Sequence, residues 1–216
     1  MVAPLSHHIT YSLHADNIGC ERSDHTLFNG LSFTVSAGDV LKLEGANGAG
    51  KTSLLRILAG LLPSHGGKIL WNNVAISQHF SSYCAQLHYI GHSSGIKRDL
   101  TVYENLFLAQ TLAGGTGTPI LQAAQKLHLD TLLDHTLDEL SAGQKRRVAL
   151  AKLLISYKTL WLLDEPFTAM DSDGIGLLQQ LLTAHAKQGG ISIVSTHQPL
   201  ELPGVRMQSI KLGQST

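Results

Sequence analysis

Apolar residues recur along this chain with two different spacings, which predict strands and helices in turn. Strands are predicted where apolar residues alternate with polar ones or form short continuous runs, at residues 31–35, 40–44, 68–71, 87–90, 160–163 and 191–195. Helices are predicted where apolar residues fall at helical spacing, at residues 54–62, 101–112, 120–129, 141–156 and 175–187. Because the last two strands flank a helix, they form a βαβ unit, which indicates a parallel sheet.

The order of these elements predicts one α/β domain with an inserted helical subdomain. A chain of 216 residues is long enough to bury a hydrophobic core and is most simply a single domain. We expect the sheet-containing core at about residues 1–91 and 157–216, and the helical subdomain at about residues 92–156.

Composition narrows the class of protein. Lysine plus arginine equal aspartate plus glutamate at 16 each, so no broad basic surface is expected to recruit nucleic acid. Cys20 and Cys84 form no C-x-x-C pair, and two isolated cysteines are typical of a reducing compartment. The 12 histidines include no zinc-binding spacing.

No membrane-spanning helix is predicted. The longest apolar stretch, residues 148–163, is interrupted by Lys152 and Lys158. It falls short of the roughly 20 apolar residues that a bilayer crossing needs. The N-terminus shows no charged region followed by an apolar core, so no export signal is predicted either.

A glycine-rich segment fits the phosphate-loop pattern G-x-x-x-x-G-K-S/T without a mismatch. It consists of Gly45, Ala46, Asn47, Gly48, Ala49, Gly50, Lys51 and Thr52, followed by Ser53. Such a loop turns its backbone N–H groups toward phosphate oxygens, and the helix after it adds its positive end. Lys51 is expected to reach the β- and γ-phosphates and Thr52 to ligate Mg²⁺. The alternative is a glycine-rich turn that binds nothing, but the predicted strand before the loop and helix after it favour nucleotide binding.

A serine-glycine turn opens the helix predicted at residues 141–156. Ser141 and Gln144 have capping-box spacing, and an ordinary helix cap is the simpler interpretation. That interpretation leaves Gly143 unexplained, because alanine at this position would stabilise the first helical turn by roughly 1 kcal/mol relative to glycine. A glycine there indicates that something approaches the backbone closely, which predicts a second anion site at this helix N-terminus.

Two carboxylates, Asp164 and Glu165, follow the predicted strand at residues 160–163. Ligands of open parallel sheets bind at the carboxyl ends of the strands. Asp164 is therefore expected to hold Mg²⁺ through water, and Glu165 to orient and deprotonate an attacking water molecule. Alone, the pair would be interpreted as a solvated acidic turn before Pro166; the phosphate loop favours the catalytic interpretation.

Taken together, these segments resemble the motifs of ABC ATPases, and the resemblance covers nearly the whole chain. In chain order, residues 45–52, 140–144, 164–165, 168–171 and 195–197 resemble the Walker A, signature, Walker B, D-loop and switch-histidine segments. The resemblance implies a P-loop NTPase fold of the ABC ATPase type, with a mainly parallel sheet, N-terminal antiparallel strands and an inserted helical subdomain. It also implies ATP and Mg²⁺ as ligands.

In this family two subunits pair head to tail, with each ATP between one phosphate loop and the partner's signature turn. The resemblance therefore implies that a second copy of the chain supplies Ser141, Gly143 and Gln144 to the γ-phosphate. It makes Glu165 the general base and His197 a γ-phosphate contact that helps hold Glu165 and the water. Asp171 would contact the opposing subunit.

Two positions depart from the family pattern. His92 occupies the place of the glutamine that usually ligates Mg²⁺ and relays to the membrane partner. Arg22 falls where an aromatic residue usually stacks on adenine, and a guanidinium plane can also stack on a base.

Within the family, residues 44–61, 89–106 and 140–151 are most similar to the ATP-binding subunits of haem exporters used in cytochrome c maturation, the CcmA type. This likeness implies a polytopic inner-membrane permease as partner and a peripheral location on the cytoplasmic face of that membrane. Two alternatives remain: an ABC ATPase for another cargo, such as lipid, lipoprotein or metal, and an ATP-gated clamp of the DNA-repair or translation kind. The chain has neither the long coiled coil nor the second ATPase domain usual in such clamps.

Overall fold

The computed structural model describes residues 11–22, 25–91, 95–115 and 117–213. The strands are β1 (Ser12–Arg22), β2 (His25–Ser36), β3 (Asp39–Glu44), β4 (Lys68–Trp71), β5 (Val74–Ala75), β6 (Leu87–Ile90), β7 (Leu160–Asp164), β8 (Ile191–Ser195) and β9 (Arg206–Lys211). The helices are α1 (Lys51–Leu58), α2 (Phe80–Cys84), α3 (Val102–Leu112), α4 (Ile120–Lys126), α5 (Ala142–Ile155) and α6 (Ser172–Lys187).

The strands form two sheets with different pairing. One sheet has the order β2-β1-β4-β5 and is antiparallel. The other has the order β6-β7-β8-β3-β9 and is parallel throughout. The predicted α/β class, with a mainly parallel sheet and N-terminal antiparallel strands, is confirmed.

The parallel sheet is covered on both faces, so every residue of its central strands β7 and β8 is buried. In β7, Trp161 and Leu163 pack into a core shared with α3, α4, α5 and α6. Leu160 and Leu162 point to the other face and pack with α1 and the antiparallel sheet. Strand periodicity thus divides one short run of residues between two cores.

The strand order brings three chain segments together at one edge of the parallel sheet. Strand β8 lies between β7 and β3, and Ser195 at its end is opposite both Asp164 and Leu43. The segment after β3 is the glycine-rich loop. The carboxylate pair, Ser195 and the phosphate loop must therefore be neighbours.

Several predicted helices end earlier than their apolar spacing suggests. The first was predicted to reach residue 62, but α1 ends at Leu58, Gly60 has φ +70° and Leu61 is 63% exposed. The helix predicted at residues 120–129 ends at Lys126, and His128 has φ +54°. In both cases a residue in the left-handed region ends the helix, and the following leucines continue the apolar pattern without continuing the helix.

Other strands lack a usable sequence signal. No strand was predicted at β1, β5 or the edge strand β9, nor over the first half of β2. In β1 the alternation is broken by register shifts between Ala15 and Glu21 and by Asn17 at φ +53°. A bulge changes which residues face the core, and this removes the period-two pattern.

Between β6 and β7, the part of the chain that the structure describes contains α3, α4, α5 and two short 3₁₀ turns, and no named strand. The boundaries of a separate helical subdomain at residues 92–156 stay a prediction. No helix in the described ranges is long and apolar enough to cross a membrane.

Two histidines, the buried His185 and the partly buried His88, hold the segment that connects α5 to β7. His88 Nε2 lies 3.0 Å from the Ser156 carbonyl, and His185 Nε2 lies 3.0 Å from the Lys158 carbonyl. The His185 ring also stacks on Trp161 at a centroid distance of 3.8 Å. Burial lowers the pKa of both histidines from 6.5 to about 4, because a charged imidazole would lose its hydration there.

These histidines predict a loss of stability in mild acid. Their pKa is lower in the folded chain than in the unfolded chain, so the unfolded state binds more protons between about pH 6.5 and pH 4. Each histidine should lower the free energy of unfolding by up to about 1.4 kcal/mol per pH unit as the pH falls through this window. Urea unfolding between pH 7.5 and pH 5 measures this slope.

The slope should decrease in His185→Gln and in His88→Gln. The same substitution at His65, whose side chain is 64% exposed, controls for the loss of a histidine as such. Equal slopes in wild type and in the two buried variants would contradict the assignment.

Candidate functional site

The phosphate loop joins β3 to α1 with three glycines in conformations that other residues rarely adopt. Gly45 has φ +142°, Gly48 +84° and Gly50 +98°. A Cβ at Gly45 would lie 2.6 Å from the Leu212 carbonyl oxygen, so this position also excludes side chains by space. The backbone between β3 and α1 is therefore curled in the way that phosphate binding requires.

The N-terminus of α1 is open to an anion. No side chain caps α1, whereas side chains cap α3, α5 and α6. The first N–H groups of a helix have no partner within the helix and carry its positive dipole end. A phosphate group fits this position because it would accept from those N–H groups.

The Lys51 side chain lies inside the loop. It is 7% exposed, and its Nζ donates to the carbonyls of Gly45 at 2.7 Å and Ala46 at 3.2 Å. Its Nζ also lies 3.0 Å from His197 Nε2 and 3.9 Å from Glu165 Oε1. The one cation of the loop is thus placed where the loop, the carboxylate and the histidine converge.

Thr52, Asp164 and Ser195 form a chain of hydrogen bonds below the loop. Thr52 Oγ1 donates to Asp164 Oδ2 at 2.8 Å, and Ser195 Oγ donates to Asp164 Oδ1 at 2.7 Å. The Asp164 carboxylate is 2% exposed, so both oxygens need these partners.

A Mg²⁺ ion fits the chemistry of this donor set. The Thr52 hydroxyl and the Asp164 carboxylate are hard oxygen ligands, which Mg²⁺ prefers. In the described ranges there is no group of three or more histidine, cysteine, aspartate or glutamate side chains suited to a metal. Two protein oxygens suffice where Mg²⁺ takes its other ligands from water and phosphate.

Glu165 is held in an unusual backbone conformation. Its φ is +46°, and its N–H donates to Ser195 Oγ at 2.9 Å and to the Ser195 carbonyl at 3.1 Å. Its carboxylate is 27% exposed, and Oε1 lies 3.5 Å from His197 Nε2. Strained residues of this kind persist where the surrounding structure fixes them, as it does here.

His197 Nε2 bridges the loop and the carboxylate. It lies 3.0 Å from Asn47 Oδ1 as well as 3.0 Å from Lys51 Nζ. An ammonium donates, so the Lys51 contact requires an unprotonated Nε2, whereas donation to Asn47 Oδ1 or to Glu165 requires a protonated one. The position therefore suits a side chain that changes hydrogen-bond partners.

The serine-glycine turn forms the predicted capping box at the start of α5. Ser141 Oγ accepts from the Gln144 N–H at 3.2 Å, and Gln144 Oε1 accepts from the Ser141 N–H at 2.8 Å. Ser141 Oγ acts here as an acceptor, so its own hydrogen remains available to a further acceptor.

Gly143 is explained by a close approach within the chain. A Cβ at Gly143 would lie 2.8 Å from the Ala169 carbonyl oxygen. Ala169 itself has φ +63°, in the turn that follows the carboxylate pair. The expectation of a close backbone approach is met by the chain's own turn, so Gly143 does not by itself require a ligand.

Asp171 also has a partner within the chain. It caps α6 by accepting from the Gly174 N–H at 2.8 Å, and Arg147 donates to it at 2.7 Å and 3.0 Å. The Gly174 N–H first, and Arg147 second, lower the pKa of Asp171. Its side chain is 65% exposed, so a contact with another subunit remains sterically open.

The predicted site residues thus fall into two clusters. The first contains Asn47, Lys51, Thr52, Asp164, Glu165 and His197, and the second contains Ser141, Gly143, Gln144 and Asp171. Within the part of the chain that the structure describes, no hydrogen bond connects the second cluster to the phosphate loop. Each cluster is half of the expected nucleotide site.

Of the two positions that depart from the family pattern, the structure describes only Arg22. Arg22 is exposed at the end of β1, opposite His25, whereas Leu27 and Phe28 of β2 lie against Gly50. His92 lies outside the described residues. The roles of both stay predictions.

Sequence reasoning missed Arg146, which is 7% exposed and donates to the carbonyls of Gly91, Asp164 and Pro166. Burial lowers the pKa of its guanidinium, and the charges of Asp164 and Glu165 oppose that shift. A signal was present, because Arg146 falls on the apolar stripe of α5 together with Ala149, Leu150 and Leu153.

Comparisons with known proteins agree with this geometry. The sequence profile of the family described as ABC transporter matches residues 28–168. The cytochrome c biogenesis ATP-binding export protein CcmA of Shigella flexneri is 45% identical over 203 residues, which are 94% of this chain and 97% of the relative.

Solved structures show the same fold. A putative ABC transporter ATP-binding protein from Pyrococcus furiosus has a TM-score of 0.79 at 27% identity, covering 93% of this chain and 97% of that one. A bacterial ABC transporter cassette, solved as a dimer, has a TM-score of 0.79 at 20% identity, covering 92% and 94%.

The close approach at Gly143 predicts opposite effects for two glycine-to-alanine substitutions. Gly143→Ala places a Cβ 2.8 Å from the Ala169 carbonyl and should lower the free energy of unfolding; overpacking of this kind costs about 1–3 kcal/mol. Gly176→Ala in α6 meets nothing within 4 Å and should raise it; removing an unneeded helical glycine gains about 1 kcal/mol. Urea denaturation measures both, and equal stabilisation by the two changes would rule out the clash.

Proposed function

The chain belongs to the ABC transporter family, and from that premise we propose that it is the ATP-hydrolysing subunit of a membrane complex that handles haem in cytochrome c maturation. The observation that carries the haem assignment is the 45% identity, over 94% of this chain, to a cytochrome c biogenesis ATP-binding export protein. The likeness extends through both halves of the nucleotide site and the segment between them.

The phosphate loop binds the ATP phosphates in this proposal. The N–H groups of residues 45–53, including those at the uncapped end of α1, donate to the β- and γ-phosphate oxygens, and Lys51 exchanges the Gly45 and Ala46 carbonyls for phosphate oxygens. Thr52 and Asp164 would hold Mg²⁺ with their oxygen donors. When bound, Mg²⁺ neutralises phosphate charge.

Glu165 takes the proton from the attacking water. Its carboxylate lies beside Lys51 and His197, at the open edge where the γ-phosphate would meet the site. His197 is 3.5 Å from Glu165 and can donate either to the γ-phosphate or to this carboxylate. Hydrolysis consumes ATP and water and releases ADP and phosphate.

A second copy of the chain completes each site. An anion-binding surface is formed by the Ser141 hydroxyl, the N-terminus of α5 and the backbone of Gly143. Within the described ranges, no hydrogen bond joins this surface to the chain's own phosphate loop. In a head-to-tail dimer, Ser141, Gly143 and Gln144 meet the γ-phosphate held by the partner's loop, and the exposed Asp171 meets the partner's surface. As the family pattern implies, Arg22 would stack on the adenine and His92 would serve the Mg²⁺ site.

The membrane partner docks at a groove between β6, α3 and α5. The groove has a volume of about 400 Å³; among its lining residues are Lys97, Leu108, Leu112, Lys152 and Lys158. Asn105 orders its wall by hydrogen bonds to Lys97, Leu100 and Thr101. In this proposal residues 93–106 bind a cytoplasmic helix of the permease; residues 93 and 94 lie outside the described residues.

The composition of the groove fits an amphipathic helix with acidic residues at its edges. The exposed leucines offer apolar surface, and the three lysines offer positive charge. Docking there places the chain as a peripheral subunit on the cytoplasmic face of the inner membrane. An ABC ATPase for another cargo, such as lipid, lipoprotein or metal, would have the same nucleotide site and docking groove. The identity of the cargo therefore requires a separate experiment.

Glu165→Gln should separate ATP binding from hydrolysis. The amide keeps the size of the side chain but cannot accept the proton, and losing a general base costs about 10²–10⁴-fold in turnover. ATP affinity, measured by equilibrium binding, should stay within a few fold of wild type. The matched control Glu201→Gln changes an exposed carboxylate away from the site and should hydrolyse normally. Full hydrolysis by Glu165→Gln would refute the base assignment.

The haem role is tested in cells that lack their own ATP-binding export protein for cytochrome c biogenesis. Wild-type chain, expressed with its membrane subunits, should restore c-type cytochromes with covalently attached haem, detected by haem staining after denaturing electrophoresis. Glu165→Gln should not restore them. Wild-type ATPase activity without any restored cytochrome would indicate another cargo.

Cysteine crosslinking locates the docking groove. In a Cys84→Ser background, Leu112→Cys, at a position 81% exposed beside the groove, should crosslink to the membrane subunit. Leu61→Cys, at a position 63% exposed after α1, is the control and should not. Crosslinks from Leu61 alone would move the docking surface elsewhere.

A further inference from the structure

The Arg146 guanidinium occupies a position that apolar residues would otherwise fill. It lies on the buried stripe of α5, and its donors reach three backbone carbonyls: Gly91 at 3.3 Å, Asp164 at 2.9 Å and Pro166 at 3.0 Å. These carbonyls belong to three separate places in the chain: the residue after β6, the end of β7 and the turn that follows. One side chain therefore ties the N-terminal part of α5 to the carboxyl edge of the sheet.

Two of these carbonyls flank Glu165. Arg146 donates to the carbonyls of Asp164 and Pro166, the residues before and after Glu165. The Glu165 N–H itself donates to Ser195 Oγ. Glu165 has φ +46°, a conformation that a non-glycine residue keeps only when its surroundings fix it. The Thr168 N–H also donates to the Glu165 carbonyl at 3.2 Å, so Arg146, Ser195 and Thr168 together fix this backbone.

Stability alone does not account for a buried charge at this place. Removing a guanidinium from water is unfavourable, and well-packed apolar residues often replace buried charges without loss of stability. The neighbouring positions of the stripe, Ala149, Leu150 and Leu153, are apolar. A planar donor that satisfies three carbonyls at once gives what an apolar side chain cannot, namely a fixed backbone geometry.

We propose that Arg146 is a positioning residue for ATP hydrolysis, which fixes the backbone on both sides of Glu165 so that its carboxylate is aimed at the attacking water. The proposal rests on the proposed function, because it requires Glu165 to be the general base. Arg146 acts on the Glu165 of its own chain. It contacts no nucleotide and is not a catalytic residue.

Two substitutions separate positioning from folding. Arg146→Met fills the same space without donors, and Arg146→Lys keeps the charge but cannot donate to three carbonyls in one plane. We expect both variants to fold, to bind ATP within about threefold of wild type, and to lose at least tenfold in kcat, which is the loss expected when a reacting group is slightly misplaced. Arg56→Met, at an exposed position in the last turn of α1, is the matched control and should keep wild-type kcat.

The measurements are thermal unfolding, ATP affinity under non-hydrolysing conditions, and steady-state kcat and KM of the full chain. A wild-type kcat in Arg146→Met would overturn the proposal. A fall in kcat that only follows a fall in ATP affinity or in folded fraction would assign Arg146 a structural role instead, and would also overturn it.

Mixed dimers test whether Arg146 acts within its own chain. Ser141→Arg chains keep an intact phosphate loop and Glu165, and Lys51→Ala chains keep an intact signature turn. Their mixture should contain one complete site, whose loop and Glu165 both come from the Ser141→Arg chain. Adding Arg146→Met to that chain should abolish the restored activity, whereas adding it to the Lys51→Ala chain should lower it much less.

The outcomes test the proposed dimer and the role of Arg146 separately. No restored activity in the parent mixture would contradict the proposed dimer itself. Restored activity that is lost equally from either chain would leave the dimer standing and overturn the positioning role of Arg146.

Discussion

The hydrogen bonds of one serine at the end of β8 organise the active edge of this protein. Ser195 lies between the ends of β7 and β3, where its hydroxyl donates to Asp164 at 2.7 Å and accepts from the Glu165 N–H at 2.9 Å. The parallel strand order fixes this junction, because β8 separates β7 from β3. The carboxylate pair on one side and the phosphate loop on the other are therefore held at hydrogen-bond distances before any nucleotide arrives.

The N-terminal part of helix α5 has two tasks. Its first residues, with Ser141 and Gly143, would meet the partner's nucleotide in the proposed dimer. One and a half turns later, Arg146 reaches the backbone around the chain's own Glu165. In the proposed dimer one helix would thus serve both the partner's nucleotide and the chain's own Glu165; the turn at Ala169 packs against its first residues.

The sequence predicted the parts of the molecule that short-range patterns determine. Strands at Lys68–Trp71, Leu87–Ile90 and Ile191–Ser195 are confirmed at the predicted residues, and so is the capping box of Ser141 and Gln144. The convergence of Lys51, Thr52, Asp164 and Glu165 followed from the rule that ligands bind at the carboxyl ends of parallel strands.

What the sequence could not show depends on contacts between distant segments. Gly143 was interpreted as a ligand contact, but the nearest atom to its missing side chain belongs to Ala169, 26 residues further along the chain. The three carbonyls that Arg146 binds come from segments separated by as many as 75 residues, and no periodicity encodes such a meeting. Strand β1 was not predicted because its bulges remove the alternation of apolar and polar residues on which strand prediction depends.

The central claim is that ATP is enclosed between two copies of this chain. The most direct measurement is the sedimentation mass of Glu165→Gln with saturating ATP and Mg²⁺, with bound nucleotide counted in the same sample. The account predicts the mass of two chains and two ATP molecules, and the mass of one chain when Ser141→Arg is added. A single-chain mass with ATP bound, together with full hydrolysis by a wild-type chain that also remains single, would contradict it.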